Sequence, residues 1–139
     1  MSAKKRVLIL CTGNSARSQM AEGLLREMGG DKFAVESAGV APSSVRSEAV
    51  EAMSETGIDI SGHRSKSADE FIGHQFDYII TVCDNAKETC PVFPGNAMRI
   101  HQSFEDPPPK TVGDYESRLK IFRRVRDEIS EWLKLFINR

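Results

Sequence analysis

Cys11 and Arg17 enclose a short polar loop where one sequence pattern gives way to another. Residues 7–10, which precede it, are all apolar, and such a run is typical of a strand buried on both faces. After Ser18 the apolar residues recur at helical intervals. A loop that leads into a helix N-terminus turns its backbone N–H groups inward and binds tetrahedral oxyanions through them. The pattern therefore predicts an oxyanion site.

The loop residues divide the expected chemistry between a nucleophile and an anion clamp. Cys11 is expected to have a low pKa and to act as a thiolate nucleophile. Arg17 can offer two parallel donors to the same anion. A buried structural cysteine beside a surface arginine is the alternative, and we favour it less because the two residues occur together in this pattern. The residues predicted to bind the anion are Thr12, Gly13, Asn14, Ser15, Ala16 and Arg17.

The composition is that of a globular domain of ordinary charge. The chain has 139 residues, 40% hydrophobic and 28% charged, and we expect one domain spanning residues 1–139. A net charge of −1 without a basic stripe argues against nucleic-acid or membrane binding. We expect a cytoplasmic monomer, because no signal peptide or membrane span is recognised. Three widely spaced cysteines argue against a disulfide framework.

Strand and helix patterns alternate along the chain, which predicts a parallel sheet with helices on both faces. Cys11 and Cys83 each follow a predicted strand, so we expect them to face one crevice beyond the strands' carboxyl ends. A turn and helix cap are predicted at residues 42–44. After the first strand, further strands are predicted at residues 33–36, 78–82 and 97–100. Helices are predicted at residues 18–28, 49–57, 84–89 and 115–136, and a short helix is predicted to end at residue 71.

Two further cysteines and one carboxylate extend the candidate site. Cys83 and Cys90 lack zinc-site spacing, and no metal is expected. A thiol-based hydrolase needs one cysteine, whereas a two-electron reduction needs a second, and a third can move the disulfide away. Cys83 could instead be a small buried hydrophobe. Asp106, before Pro107, is either a turn residue or a general acid or base, and the neighbouring Glu105 could take that role.

Five motifs are spread over the chain. They are Cys-Thr-Gly-Asn-Ser-Ala-Arg-Ser-Gln-Met-Ala-Glu at residues 11–22, Ser-Ala-Gly at 37–39, Val-Cys-Asp at 82–84, Cys-Pro at 90–91 and Asp-Pro at 106–107. Together they resemble the arsenate reductases that share the low-molecular-weight tyrosine phosphatase fold. The resemblance spans essentially the whole chain, and Cys83 with Cys90 selects the thioredoxin-linked branch. It implies a single-domain α/β fold, a four-stranded parallel sheet flanked by helices on both faces.

The resemblance implies that the chain reduces arsenate to arsenite, with phosphate or sulfate as mimics of the substrate. Cys11 attacks arsenate held by the loop N–H groups and Arg17. Ser18 donates a hydrogen bond that stabilises the Cys11 thiolate, and Asp106 helps the leaving oxygen depart.

The same resemblance implies a cascade of disulfides. Cys83 attacks the thiol–arsenate adduct, which releases arsenite and leaves a Cys11–Cys83 disulfide. Cys90 resolves this to a Cys83–Cys90 disulfide. Thioredoxin then reduces the second disulfide, and a glutaredoxin-like donor is the alternative.

Two positions depart from the family pattern. Many members carry a further cysteine where this chain has Ala16, and we expect activity to survive because that thiol takes no redox step. Some members bind potassium beside the loop at positions like Asn14, Glu22, Ser37 and a nearby acid. Lys66 stands at the matching acid position, so its ammonium could replace the cation, and we doubt a potassium site.

Two rival functions remain open. The first is a protein tyrosine phosphatase of the same fold, since phosphate and arsenate are nearly isosteric. Such phosphatases usually carry aromatic residues after Asp-Pro, whereas this chain has Pro108 and Pro109. The second is a non-catalytic oxyanion or arsenic sensor, although no DNA-binding module accompanies the loop.

Overall fold

The structure, a computed structural model, describes residues 4–83 and 95–138. Its four strands form one sheet in the order β2-β1-β3-β4, and every neighbouring pair is parallel. The predicted α/β class with a four-stranded parallel sheet is confirmed. The elements are β1 (Lys5–Cys11), α1 (Arg17–Gly29), β2 (Phe33–Gly39), α2 (Ser47–Ser54), a 3₁₀ turn (Ala68–Phe71), β3 (Tyr78–Thr81), β4 (Met98–His101) and α3 (Tyr115–Ile137).

Residues 12–16, between β1 and α1, are called the oxyanion loop after the ligand predicted for them. The apolar run that precedes this loop forms the centre of the sheet. Residues 7–10 of β1 are fully buried, and β1 pairs with β2 on one side and β3 on the other. Leu10 lies opposite Ala38 in β2 and Thr81 in β3. Strand order therefore reverses beside β1, and such a switch point opens a crevice at the carboxyl ends of the strands.

The last helix buries one stripe, as its three-and-four spacing predicts. The spacing of apolar residues also places Tyr115 and Trp132 on this stripe, but both side chains are only half-buried. The Trp132 ring lies at the edge of the core against Phe104, with centroids 6.3 Å apart. The fully packed positions of α3 are Leu119, Phe122, Val125, Ile129, Leu133 and Phe136.

Two local predictions are wrong. β2 continues to Gly39, because its pairing with β1 runs on until Gly39 lies opposite Cys11. The predicted cap at residues 42–44 does not start α2, which begins at Ser47 after Arg46. The predicted helix at residues 84–89 lies outside the described residues.

No helix in the described part of the chain is both long enough and apolar enough to cross a membrane.

Candidate functional site

The oxyanion loop is held from outside by its carbonyl groups. Residues 12–15 each accept a hydrogen bond from another segment or from α1. Because the carbonyl and N–H groups of a trans peptide point in opposite directions, the N–H groups of residues 13–16 face the other way. The bonds run from the Ala41 N–H to Thr12 (2.9 Å), the Ser65 hydroxyl to Gly13 (2.8 Å), the Gln19 amide to Asn14 (3.1 Å) and the Arg46 N–H to Ser15 (2.9 Å).

Asn14 gives the loop its turn. It is fully buried and has a φ of 47°, a left-handed conformation that asparagine tolerates better than most residues. Its side-chain amide donates to the Ser18 hydroxyl at 2.8 Å and to the Ser37 hydroxyl at 3.0 Å. Its side-chain oxygen accepts from the Lys66 N–H at 2.8 Å. These bonds fix a conformation that costs energy on its own.

Ser18 is buried in the first turn of α1, beneath the loop. Its hydroxyl accepts from Asn14, and a hydroxyl that accepts one bond still has its hydrogen to donate. Its predicted bond to the Cys11 thiolate stays a prediction. Ala16, which precedes the helix, has no side chain that could cap α1. The first N–H groups of the helix are therefore not covered by a capping side chain.

Gly39 lies against the back of the loop. A β-carbon placed there would come within 2.5 Å of the Thr12 carbonyl oxygen and 2.9 Å of the Asn14 nitrogen. Only glycine lets the end of β2 approach the loop this closely. This contact explains the glycine of the Ser-Ala-Gly motif, whose function the sequence did not reveal.

Arg17 and Asp106 meet at the open side of the loop. An Arg17 Nη atom lies 3.3 Å from Asp106 Oδ1, and the other donates to the Phe104 carbonyl at 3.1 Å. The Arg17 side chain is 10% exposed, whereas that of Asp106 is 78% exposed. Of the two adjacent acids, Asp106 contacts Arg17, while Glu105 pairs with Arg124 on α3. The structure thus brings Asp106 to the site and directs Glu105 away.

Cys11 and Cys83 lie together at the ends of neighbouring strands, as predicted. Both are buried and neither is in a disulfide. Their side chains are close enough for the Cys83 thiol to affect the pKa of Cys11, and Cys83 Sγ lies 3.2 Å from the Thr12 hydroxyl oxygen. Cys90 lies outside the described residues.

The predicted low pKa of Cys11 is wrong for this conformation. The neighbouring Cys83 thiol, followed by burial, raises the pKa of the Cys11 thiol well above its ordinary value. Arg17 and the Thr12 backbone N–H lower the pKa, but their combined effect is smaller. The sequence predicted that Cys83 lies near Cys11, but it did not show that the neighbouring thiol stabilises the protonated form of Cys11.

A buried charge network lies behind the loop. Lys66 Nζ lies 3.4 Å from Glu22 Oε1, and both side chains are almost completely buried. The Ser37 hydroxyl donates to the same Glu22 oxygen, and Arg26 pairs with the other oxygen at 2.8 Å. Lys66 and Arg26 thus supply cationic partners to Glu22 from within the chain. Among the described residues, no group of three or more His, Cys, Asp or Glu side chains is arranged to hold a metal.

Gln19 is a site residue that sequence reasoning missed. It is fully buried, and its amide nitrogen donates to the Asn14 carbonyl, to Asn14 Oδ1 and to the Arg64 carbonyl. Its oxygen lies 3.0 Å from His63 Nδ1. A glutamine buried in the first turn of a helix was the available signal, but its partners lie in distant segments.

Fold and loop together define an α/β protein with a cysteine-based oxyanion loop at the switch point of a parallel sheet. Residues 6–139 match the family described as low molecular weight phosphotyrosine protein phosphatase. The chain belongs to this family.

Similar proteins within this fold carry two kinds of name. A protein of Halalkalibacterium halodurans named arsenate reductase is 45% identical over 133 residues, which are 96% of this chain and 95% of that protein. A solved arsenate reductase in the phosphate binding state is 33% identical, with a TM-score of 0.76 over 96% of this chain and 97% of that one. A low molecular weight protein tyrosine phosphatase from T. tengcongensis is 30% identical, with a TM-score of 0.77 over 97% and 99%.

Proposed function

We propose that this chain reduces arsenate to arsenite with its own thiols. The observation that carries the proposal is the position of Cys83, a second buried free thiol beyond the carboxyl end of the strand next to that of Cys11. A hydrolase needs only the first thiol, whereas a reductase needs a second thiol close enough to form a disulfide with it. The relatives named arsenate reductase support this choice.

The first step joins Cys11 to arsenic. The N–H groups of the loop and Arg17 hold the oxyanion. Cys11 gives its thiol proton to an oxygen of the bound arsenate dianion, and the resulting thiolate attacks arsenic, so that an S–As bond forms and an As–O bond breaks. Asp106, 3.3 Å from Arg17, gives a proton to the departing oxygen, which leaves as water. Ser18 donates to the Cys11 thiolate before the attack.

The second step transfers two electrons to arsenic. The Cys83 thiolate attacks Cys11 Sγ, an S–S bond forms, and the electron pair of the S–As bond stays on arsenic, which leaves as arsenite. The Cys90 thiolate then attacks Cys83 Sγ and releases the Cys11 thiolate. A thioredoxin dithiol reduces the Cys83–Cys90 disulfide and is itself oxidised to a disulfide. A glutaredoxin-like protein is the alternative reductant. We place this cycle in a cytoplasmic monomer.

The cycle needs no bound potassium ion in this proposal. Glu22, Ser37 and Asn14 match positions that bind potassium in some relatives. The Lys66 ammonium already lies against the buried Glu22 carboxylate and supplies the positive charge. A potassium ion would be repelled by that ammonium.

The second candidate function is hydrolysis of phosphate monoesters, which the family match and the T. tengcongensis structure favour. The same loop, Arg17 and Asp106 would serve it. Residues 107–109 are three prolines and offer no aromatic ring to grip a phosphotyrosine. We therefore expect at most a side activity toward small aryl phosphates.

Single serine substitutions separate the two functions. Cys11→Ser abolishes both thioredoxin-coupled arsenate turnover and hydrolysis of p-nitrophenyl phosphate. Cys83→Ser and Cys90→Ser abolish arsenate turnover and leave the hydrolysis that the wild type shows. Arsenate turnover that survives Cys83→Ser or Cys90→Ser would overturn the reductase proposal.

A further inference from the structure

Glu48 is a buried carboxylate that the proposed reaction does not use. It lies in the first turn of α2 and is 1% exposed. One of its oxygens, Oε2, accepts from Arg46 Nη2 at 2.8 Å and from Arg118 Nε at 2.8 Å. Burial alone would raise the pKa of Glu48, but these two arginines outweigh it and lower the pKa to about 2. A single ionised oxygen therefore binds two guanidinium groups.

Both arginines also donate hydrogen bonds to the segment that carries Asp106. We call this segment, residues 104–114, the acid loop. Arg46 Nη2 also donates to the Pro108 carbonyl at 3.1 Å. Arg118 Nη1 donates to the carbonyls of Val112 and Gly113 at 3.2 and 2.8 Å. The acid loop is thus bound at two separate points by the partners of one carboxylate.

Arg46 also fixes the acid loop relative to the oxyanion loop. Its N–H donates to the Ser15 carbonyl, and its guanidinium lies 5.0 Å from the centre of the Phe122 ring. Asp106 is two residues from Pro108, and the prolines between and around them restrict the backbone. A shift of Pro108 is therefore transmitted to the Asp106 carboxylate.

We infer that Glu48 is a positioning residue for Asp106, acting through Arg46 and Arg118. Its negative charge holds the two guanidinium groups on one oxygen, and they in turn hold the acid loop over the anion. Without that charge the two cations repel each other, and Arg46 loses the geometry that reaches Pro108. The inference rests on the proposed function, because it takes Asp106 to be the proton donor.

The test is a single turnover with the intact protein and arsenate alone. Arsenate in excess is mixed with the reduced chain, and the loss of thiols is followed by quenching and titration. Glu48→Gln keeps the shape and removes the charge. We expect the rate at saturating arsenate to fall about 10- to 100-fold, because small misplacements of a reacting group have such effects. The half-saturating arsenate concentration should stay within about twofold, because the oxyanion loop is intact.

Glu55→Gln is the matched control. Glu55 lies just after α2 and pairs with Arg123 at 2.6 Å and Arg126 at 3.2 Å on α3. It therefore links the same two helices, but these two arginines lie outside the acid loop. We expect the single-turnover rate of Glu55→Gln at saturating arsenate to equal that of the wild type within about twofold. An equal loss in both variants would mean that Glu48 acts only by general stability.

A double-mutant cycle tests whether Glu48 acts through Asp106. Asp106→Asn alone should slow the turnover by about 100-fold or more. The double variant Asp106→Asn/Glu48→Gln should turn over no more slowly than Asp106→Asn alone, because the carboxylate that Glu48 positions is already gone. Effects that multiply would overturn the inference. If Asp106→Asn keeps the wild-type rate, the proposed function of Asp106 fails instead.

Trp132 gives a readout that needs no activity. It is the only tryptophan, and its ring contacts Phe104 at the start of the acid loop. Glu48→Gln should raise the acrylamide quenching of Trp132 fluorescence, and Glu55→Gln should not. If Glu48→Gln does not fold, Arg118→Gln replaces it, because this substitution removes the bonds to residues 112 and 113. It should also raise the acrylamide quenching of Trp132. Unchanged quenching in the folded variant would overturn the inference even if the chain reduced no arsenate.

Discussion

The buried thiols of Cys11 and Cys83 lie next to each other beyond the carboxyl ends of two neighbouring strands. β1 and β3 bring them together, and the hydroxyl of Thr12 lies beside the second thiol. This pairing affects two properties at once. It raises the pKa of Cys11, and it places a second sulfur where a disulfide can form.

Removing Cys83 should make Cys11 more acidic. The neighbouring Cys83 thiol is the largest cause of the raised Cys11 pKa, and Arg17 remains in place to lower it. We expect Cys83→Ala to move the pH midpoint of Cys11 alkylation by iodoacetamide to lower pH, with a faster reaction at pH 7. Peptide mapping by mass spectrometry isolates Cys11 from the other thiols.

The unfolded chain is the control for this measurement. In urea, wild type and Cys83→Ala should show the same midpoint, near the ordinary value of about 8.5. A folded Cys83→Ala protein whose midpoint equals or exceeds that of the wild type would show that Cys83 does not set the pKa of Cys11.

Gly39→Ala should damage the oxyanion loop. The added β-carbon would meet the Thr12 carbonyl at 2.5 Å, so loop or strand must move. We expect a loss of about 1–3 kcal/mol in the free energy of unfolding and at least about tenfold weaker binding of phosphate, measured by urea unfolding and calorimetry. Gly62→Ala is the control, since a β-carbon there has nothing within 4 Å. Equal phosphate affinity in both variants would contradict the close approach.

Lys66 should act as the internal cation of the Glu22 network. Lys66→Met leaves one oxygen of a buried carboxylate without its cationic partner, which should cost about 1–3 kcal/mol of unfolding free energy. Arg64→Met is the control, because its ion pair with Glu70 is exposed and should contribute at most about 1 kcal/mol.

The same network gives a salt prediction. Wild-type melting temperature and arsenate turnover should respond equally to potassium and sodium chloride, because Lys66 already supplies the charge. A rise specific to potassium would show that a potassium site exists despite Lys66.

Glu48 should contribute to stability only when it is ionised. Its pKa is lowered to about 2 in the folded chain, against about 4.3 in the unfolded chain. A lowered pKa stabilises the fold above the unfolded value, and the contribution is lost as pH falls from about 5 to about 2. The difference in unfolding free energy between wild type and Glu48→Gln should therefore shrink over this range, by up to about 3 kcal/mol. A difference independent of pH would mean that Glu48 is not the ionised centre of the arginine cluster.

Local patterns were sufficient to predict the elements and the oxyanion loop. Residues 7–10 are uniformly apolar, the α3 stripe steps by three and four, and Cys11 and Arg17 are close in sequence. Such signals depend on neighbours along the chain, and the structure confirms the buried strand, the buried stripe of α3 and a loop between β1 and α1. The placement of Cys83 near Cys11 also followed, because carboxyl ends of parallel strands share one edge.

The interactions between distant segments were beyond the sequence. Glu48 meets Arg118 from 70 positions away, and Gly39 meets the back of the oxyanion loop only because the strand runs on past its predicted end. Neither contact follows from periodicity or spacing. The pKa of Cys11 was misjudged although Cys83 was expected nearby, because proximity in the fold does not show that the second thiol favours the protonated form of the first.

Trapping the first disulfide is the most direct test of the reductase proposal. In a reduced Cys90→Ser protein exposed to arsenate, with no other reductant, we expect a disulfide between Cys11 and Cys83 and about one arsenite per chain. Peptide mapping identifies the disulfide, and arsenic speciation counts the product. Arsenite released while Cys83 stays reduced, or no disulfide and no arsenite at all, would contradict the account.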